Sequence, residues 1–425
     1  MNSPISGRLR AALLCALLAG APAGAADPAE LPGRDVGSLL EMARQANPAF
    51  AAERHDADAA RERVGAAGAL PDPRFQIELM DATNTMRGGG TSILPGEVGE
   101  TRYRILQELP GWGKRDLQKQ AGEARAGQAA AALDGAWLEL ATTVKSAWLR
   151  YYGADREAAL LRESLTLLGG LEDAALARYR QGLLPQQAVL RAQREITTER
   201  LAQVGIEGRR RGAVAALNAL LARSPDAPLA APAEPPPLPA ELDAAQLVAR
   251  ARANNPAVTA DSRAIDAARA ERESVWADRY PDYAIGLTNN RPRGGTESWD
   301  LMFEVMIPLQ QAPRRARERE AERMLAAADA RRAATLSRLD GEIGAALATF
   351  TTNRDTVNLI DGTLLPQTRA TRDAARAGFE AGRLEFDAVL EAERQLVSVR
   401  SERLRADIEA RMALYELEKL VGEPL

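Results

Sequence analysis

Ala177-Arg-Tyr179-Arg-Gln-Gly182-Leu-Leu184-Pro-Gln-Gln-Ala188-Val189-Leu190 returns, without a gap, as Ala377-Gly-Phe379-Glu-Ala-Gly382-Arg-Leu384-Glu-Phe-Asp-Ala388-Val389-Leu390. In both copies an aromatic residue leads to a glycine, a leucine and then Ala-Val-Leu. Glycine accepts the left-handed backbone that a sharp turn or helix end needs. Each copy therefore predicts a tight turn between two helices. Internal repetition of this kind is the strongest organisational signal a sequence carries.

Working outward, the repetition continues. Ala43-Arg44-Gln-Ala-Asn47-Pro48-Ala49 answers Ala251-Arg252-Ala-Asn-Asn255-Pro256-Ala257, and Pro71-Asp72 answers Pro281-Asp282. The glycine-rich stretches Arg87 to Ser92 and Arg293 to Ser298 also correspond. Pro235-Pro236-Pro237 lies between the halves, and three prolines favour an extended linker. The expected organisation is a first repeat over 26–223, a linker over 224–240 and a second repeat over 241–425.

Each repeat reads as helix, strand pair, long helix, turn, helix. Phe75, Ile77 and Leu79 alternate with Gln76 and Glu78. Tyr283, Ile285 and Leu287 alternate likewise, and Leu301, Phe303, Val305 and Ile307 do so more strongly. Period-two alternation marks a half-buried strand or a barrel strand that is apolar to lipid and polar to its lumen. Proline suits strand ends rather than ladder interiors. Pro71 and Pro73, Pro110, Pro281 and Pro308 accordingly bracket hairpins over about 74–109 and 282–308. From Lys114 to Arg180 there is no proline, and Leu133, Trp137, Leu140, Val144, Ala147, Tyr151, Ala154, Ala158, Leu161, Leu165 and Leu168 keep a 4-3 rhythm. Such heptads specify coiled-coil packing. Long helices are expected over about 114–222 and 314–422.

The first residues carry Arg8 and Arg10, an apolar run from Ala11 to Ala19, and Ala23-Gly24-Ala25. A basic start, a short apolar core and a small-residue site predict a secretory signal peptide over 1–25. Cys15, the only cysteine, lies inside the apolar run rather than at the cleavage point, which excludes a lipoprotein anchor. Its removal leaves the exported chain without disulfide or thiol chemistry. Net charge is −4, with 55 basic and 59 acidic residues interspersed. No basic stripe offers a nucleic-acid surface. Beyond residue 26 no apolar run reaches the roughly 18 residues of a membrane-spanning helix, so any membrane entry is through β-strands.

Chemistry-bearing clusters are missing. His55 is the only histidine, on a helix with Glu53, Asp56 and Asp58, and reads as a solvated residue. Gly88-Gly89-Gly90-Thr91-Ser92 is not followed by the lysine and helix of a phosphate loop and reads as a hairpin tip. Met80, Met86, Met302 and Met306 fall in the strand regions, where thioethers fill gaps or line a lumen. The sequence predicts no enzyme, no cofactor and no metal site.

Two repeats, each with a proline-bracketed β-hairpin and a helical hairpin turning at Tyr179-x-x-Gly182-x-Leu184 or Phe379-x-x-Gly382-x-Leu384, resemble the TolC-type outer-membrane efflux proteins. The resemblance spans essentially the whole exported chain. Gly68-Ala-Leu-Pro71-Asp-Pro73 and Pro110-Gly-Trp112-Gly-Lys114-Arg115 look like the heavy-metal branch of that family, although the second junction carries Gln310, Gln311 and Pro313 before Arg314-Arg315. The resemblance implies an α+β membrane protein: a long antiparallel coiled-coil barrel under a transmembrane β-barrel of twelve strands, shared by a homotrimer in outer-membrane lipid. It implies a periplasmic adaptor and an inner-membrane pump as partners. The turns, through Arg180, Gly182, Leu183, Leu184, Gly382, Arg383 and Leu384, would meet the adaptor. Acidic residues after the second turn would ring a gate, where Glu391 matches one family position. Ala388 occupies the other, with Asp387 one residue earlier and a helix turned by 100°. Gln187 and Arg191 stand at the first-repeat equivalents. The competing expectation is a periplasmic or surface coiled-coil scaffold without a channel, which accounts for the heptads but not for two matched alternating segments.

Overall fold

The computed structural model describes residues 31–425 apart from 86, 87, 89 and 112. The expected signal peptide, with Cys15, lies outside the described residues. Two short helices, α1 (Val36–Ala46) and α2 (Pro48–Ala67), precede strands β1 (Arg74–Met80) and β2 (Glu100–Leu109). Helix α3 (Lys114–Arg180) follows, then α4 (Gln186–Leu220). The second repeat runs α5 (Ala244–Asn254), α6 (Pro256–Ala277), β3 (Asp282–Pro292), β4 (Ser298–Met306), α7 (Gln311–Leu359), α8 (Leu365–Glu380) and α9 (Phe386–Val421). At 1.5 Å per residue α3 alone spans about 100 Å.

Each repeat is closed on itself by an equivalent residue. Asn47 caps α2, accepting from the Phe50 N–H at 3.0 Å, while its amide donates to the Leu220 carbonyl at the end of α4, also at 3.0 Å. Asn255 caps α6 through Ala257 N–H at 2.8 Å and donates to the Leu420 carbonyl of α9 at 2.8 Å. Each thus satisfies an orphan donor at one helix start and an orphan acceptor at another helix end. Two matching cores surround these points. Leu39, Val144, Trp148, Leu149 and Leu217 form one, and Leu247, Ile343, Phe350 and Leu417 the other.

The heptad rhythm of α3 is only part of its burial. Val144, Ala147, Tyr151, Ala154, Leu161 and Leu168 are buried, whereas Leu133, Trp137, Leu140, Ala158 and Leu165 are half-buried. From Ala147 to Ala154 every residue except Arg150 is buried, so a two-residue seam is replaced there by nearly all-round packing. The residues before α1, helix α9 and the proline-rich segment close around this stretch, and the proline-rich segment is extended but tied down. Ala230 and Ala233 donate backbone bonds to Pro32 (2.9 Å) and Arg34 (2.8 Å), Tyr151 donates to the Ala230 carbonyl at 3.1 Å, and Arg411 to Pro236 at 2.5 Å. A second departure lies in the long helix of the second repeat. Ile360–Leu364 forms a single wide π turn between α7 and α8. Pro366 has no N–H for the carbonyl four residues back, and such a gap favours local widening.

The four strands make one antiparallel sheet in the order β1-β2-β3-β4. Its register places Phe75 opposite Ile105, Ile105 opposite Leu287, and Leu287 opposite Leu301. With Ile77, Ile285, Phe303 and Val305 they form one apolar face that stands exposed, Leu301 at 79% and Phe303 at 64%. The opposite face is charged: Glu78 approaches Arg104, Arg74 pairs with Glu108, and Asn290 donates to Asp300 at 2.5 Å. Met302 and Met306 lie on this polar face, opposite Gly286 and Asp282. Met302 fills the space left by the missing side chain of Gly286. β1 and β4 are edges without a partner among the described residues.

Candidate docking tips and gate

Far from the sheet, α3 turns into α4 and α8 into α9. Gly182 and Gly382 have φ of +73° and +70°. In each turn the residue after the glycine closes a backbone bond five residues back, Leu183 to Arg178 at 2.9 Å and Arg383 to Gly378 at 2.8 Å. This is the Schellman arrangement, and it satisfies carbonyls that the helix end leaves free. Leu183, 68% exposed, projects from the first turn, and Leu384, 46% exposed, lies over Gly378 in the second. Arg180, Gly182, Gly382 and Arg383 are exposed too. Leu184 instead packs half-buried on the tip core of Leu168, Val189, Phe379, Phe386 and Val389.

Arg178 joins the two turns. Its guanidinium donates to the carbonyls of Phe379 (2.9 Å) and Glu380 (3.1 Å) and lies 4.3 Å from the centre of the Phe379 ring. A cation at the C-terminal end of α8 meets both the helix dipole and an aromatic face. The repeat position holds Gly378, where Leu384 packs so closely that a Cβ would lie 2.6 Å from its Cδ1. Comparing Arg178 with Gly378 was the one sequence signal for this asymmetry. The contact itself crosses between repeats and leaves no local pattern.

Behind the turns a groove of about 600 Å³ separates α4 from α9, lined by Gln187, Leu190, Arg191, Arg194, Asp387, Leu390, Glu391 and Arg394. Asp387 forms an ion pair with Arg191 across it. Arg394 binds Glu195 through both guanidinium arms and approaches Glu391 at 3.7 Å. The hydrogen bonds from Arg394 hold the Glu195 carboxyl below the usual carboxylate range, against the opposing effect of burial. Burial raises Glu199, with the charge of Glu195 adding to it. The Glu391 carboxylate is mostly exposed and faces this groove. Thus Asp387 and Glu391 share one site but differ in state: Asp387 is neutralised by a cross-repeat arginine, and Glu391 retains an open side. His55 is exposed on α2. Among the described residues no three His, Cys, Asp or Glu side chains are placed to hold a metal, and no helix is long and apolar enough to cross a membrane.

This arrangement of two helical-hairpin repeats with a four-stranded sheet is shared with known proteins. The outer membrane efflux protein family matches residues 39–223 and 247–423, so the chain belongs to that family, a transport family of the outer membrane. Solved structures share the fold at low identity. CusC, described in terms of conformational changes accompanying folding and transmembrane channel formation, gives a TM-score of 0.76 at 17% identity over 92% of both chains. A membrane protein from Pseudomonas aeruginosa gives 0.77 at 20% identity, covering 93% of this chain and 91% of the other. The outer membrane protein VceC from Vibrio cholerae gives 0.75 at 18%, covering 92% and 96%. No curated protein sequence matches at a significant level.

Proposed function

We propose that three copies of this chain close a twelve-stranded barrel in the outer membrane over a periplasmic helical tunnel, through which a tripartite efflux system passes its substrate. The supporting observation is the sheet. Four strands with an exposed apolar face, a charged reverse face and two unpaired edges fit lipid outside and water inside, but open edges are not tolerated in lipid. About eight strands is the smallest closed membrane barrel, so the missing strands come from further copies. The exposed tips at Arg180, Gly182, Leu183, Gly382, Arg383 and Leu384, with Leu184 beneath them, are the docking points for a periplasmic adaptor, which connects the tunnel to an inner-membrane pump. Glu391 and Asp387 form the constriction. Heavy-metal cations are the proposed cargo class, on the strength of the proline and Lys114-Arg115 junction and an acidic gate. Mass measurement of the detergent-solubilised protein should give three chains, and planar-bilayer recording should give discrete conductance. A stable single chain without conductance would favour the scaffold reading.

A further inference from the structure

Just below the sheet, the second repeat carries two large aromatic residues that the core does not use. Trp276 is 41% exposed and Tyr280 66%, although α6 buries Ala267, Ala270 and Ala277 on its packed side. At about 100° per residue, Arg272, Trp276 and Arg279 share one stripe on the face turned away from those alanines. Asp278 shows which side of the sheet this is. It lies 3.4 Å from the Lys114 ammonium, which also binds Asp282 at the foot of the polar face. Trp276, two residues earlier and about 200° round the helix, stands on the side of the apolar face. There a cleft of about 580 Å³ opens between α6 and α7, lined by Arg272, Glu273, Trp276, Arg279, Tyr280 and Glu322. Its charges are mixed. Arg279 lies 4.1 Å from the centre of the Trp276 ring and gives Nε and Nη2 to Glu318 at 2.6 and 2.7 Å, which leaves Nη1. Arg272 stands 3.6 Å from Glu273, while Glu322 is exposed and has no ion pair among the described residues.

We propose that this cleft binds a bilayer phospholipid with a doubly charged headgroup, its phosphate on Arg272 and Arg279 and its ammonium on Glu322 and the Tyr280 ring. This rests on the outer-membrane barrel reading above. Depth supports it first. The apolar face begins where Tyr283 lies opposite Val305, and a headgroup layer extends roughly 5–8 Å beyond the hydrocarbon. Tyr280 and Trp276 precede Tyr283 by three and seven residues, which places the cleft within about 10 Å of that boundary. Exposed tyrosine and tryptophan are favoured at that level. Continuity supports it next: Ile307 and Leu309, exposed where β4 leads into α7, extend the apolar surface toward the cleft. Charge then selects the headgroup. Two cations attract a phosphate, and the open Glu322 carboxylate attracts an ammonium and repels a purely anionic lipid. A plain aromatic girdle carries no such preference.

The test uses the full-length complex in detergent, mixed with equal amounts of phosphatidylethanolamine and phosphatidylglycerol and weighed intact. Phosphatidylethanolamine should be retained at one lipid per chain and exceed phosphatidylglycerol by about fivefold, the scale of one partly exposed charge contact. Glu322→Gln should erase that preference, and Arg272→Gln should lower retention of both lipids, with the dissociation temperature of the complex unchanged. In vesicles, phosphatidylethanolamine carrying a nitroxide on its headgroup should quench tryptophan fluorescence, and Trp276→Phe should remove much of that quenching. Equal retention of the two lipids, or retention indifferent to both charge changes, would reduce the rings to a girdle and overturn the site. Quenching untouched by Trp276→Phe would place the lipid elsewhere and also overturn it. Displacement of the lipid by an equal amount of free phosphoethanolamine would make the cleft a site for a soluble phosphate ester instead. In each of these cases a three-chain mass with conductance leaves the channel reading standing, whereas a single-chain mass without conductance would remove that reading and this one together.

Discussion

Asn255 performs two tasks with one side chain. Its oxygen caps α6 and its nitrogen holds the Leu420 carbonyl at the end of α9. Asn255→Ala should remove both bonds and leave the buried Leu420 carbonyl without a donor, at about 1–3 kcal/mol. Thermal unfolding followed by helical circular dichroism in detergent should show the loss. Asn255→Asp tells the two tasks apart, because aspartate caps a helix as well as asparagine does but brings no donor to Leu420. Its melting point should also fall, and an unchanged value would reduce the residue to a helix cap. The Asn-Pro pairs were legible as markers of a repeat. Their second role was not, since a bond from Asn255 to Leu420 exists only once α6 and α9 are packed.

At the scale of the helical hairpins, the tips divide into a presenting part and a bracing part. Replacing Gly182 and Gly382 with bulky residues forces side chains into positive φ, where L-residues are strained. Export should be lost while three-chain complexes still reach the outer membrane, and undiminished export would detach the tips from docking. Arg178→Ala should act differently, freeing the end of α8 from the first turn without altering either turn. Capture of the proposed adaptor by the purified protein should weaken severalfold, and Arg178→Lys should rescue it only partly, since one ammonium cannot reproduce the two guanidinium bonds. Equal capture by all three proteins would make Arg178 a packing residue alone. A further brace is Glu195 with Arg394, and its pH dependence has a definite sign. The folded carboxyl titrates below its ordinary 4.5, so the link contributes in full above that value and is lost as pH falls through the lower one. Hydrogen exchange at the tip amides should rise below about pH 4.5, and Glu195→Gln should abolish that rise. The turns themselves were readable from two glycines. The braces were not, because Arg178, Arg191 and Glu195 find their partners about two hundred residues away in the other repeat. The π turn was also missed, since a reading that follows glycine to the turn passes over Pro366.

For the whole molecule, the alternation of the strands was legible residue by residue, but their pairing order was not. Period two gives a face, and only the pairing order β1-β2-β3-β4 reveals that two edges are left over. Closure into the proposed barrel would determine what the acidic pair near the tips can do. In one chain Glu391 is an exposed carboxylate beside Arg394, and Asp387 is paired with Arg191. In the proposed three-chain channel the same residues would form a ring of three open carboxylates with three neutralised ones close by. A narrow aqueous ring of that sign concentrates cations and holds multivalent ones longer. Planar-bilayer recordings should therefore show cation preference and block by multivalent cations, and Glu391→Gln should weaken both. Asp387→Asn should have a smaller effect on selectivity, because it removes a charge that Arg191 already offsets, while releasing Arg191 toward the lumen. The double variant should then pass anions more readily than either single one. Cation preference and block that survive in the double variant would remove both carboxylates from the constriction and leave the Arg191–Asp387 pair as a structural link between α4 and α9.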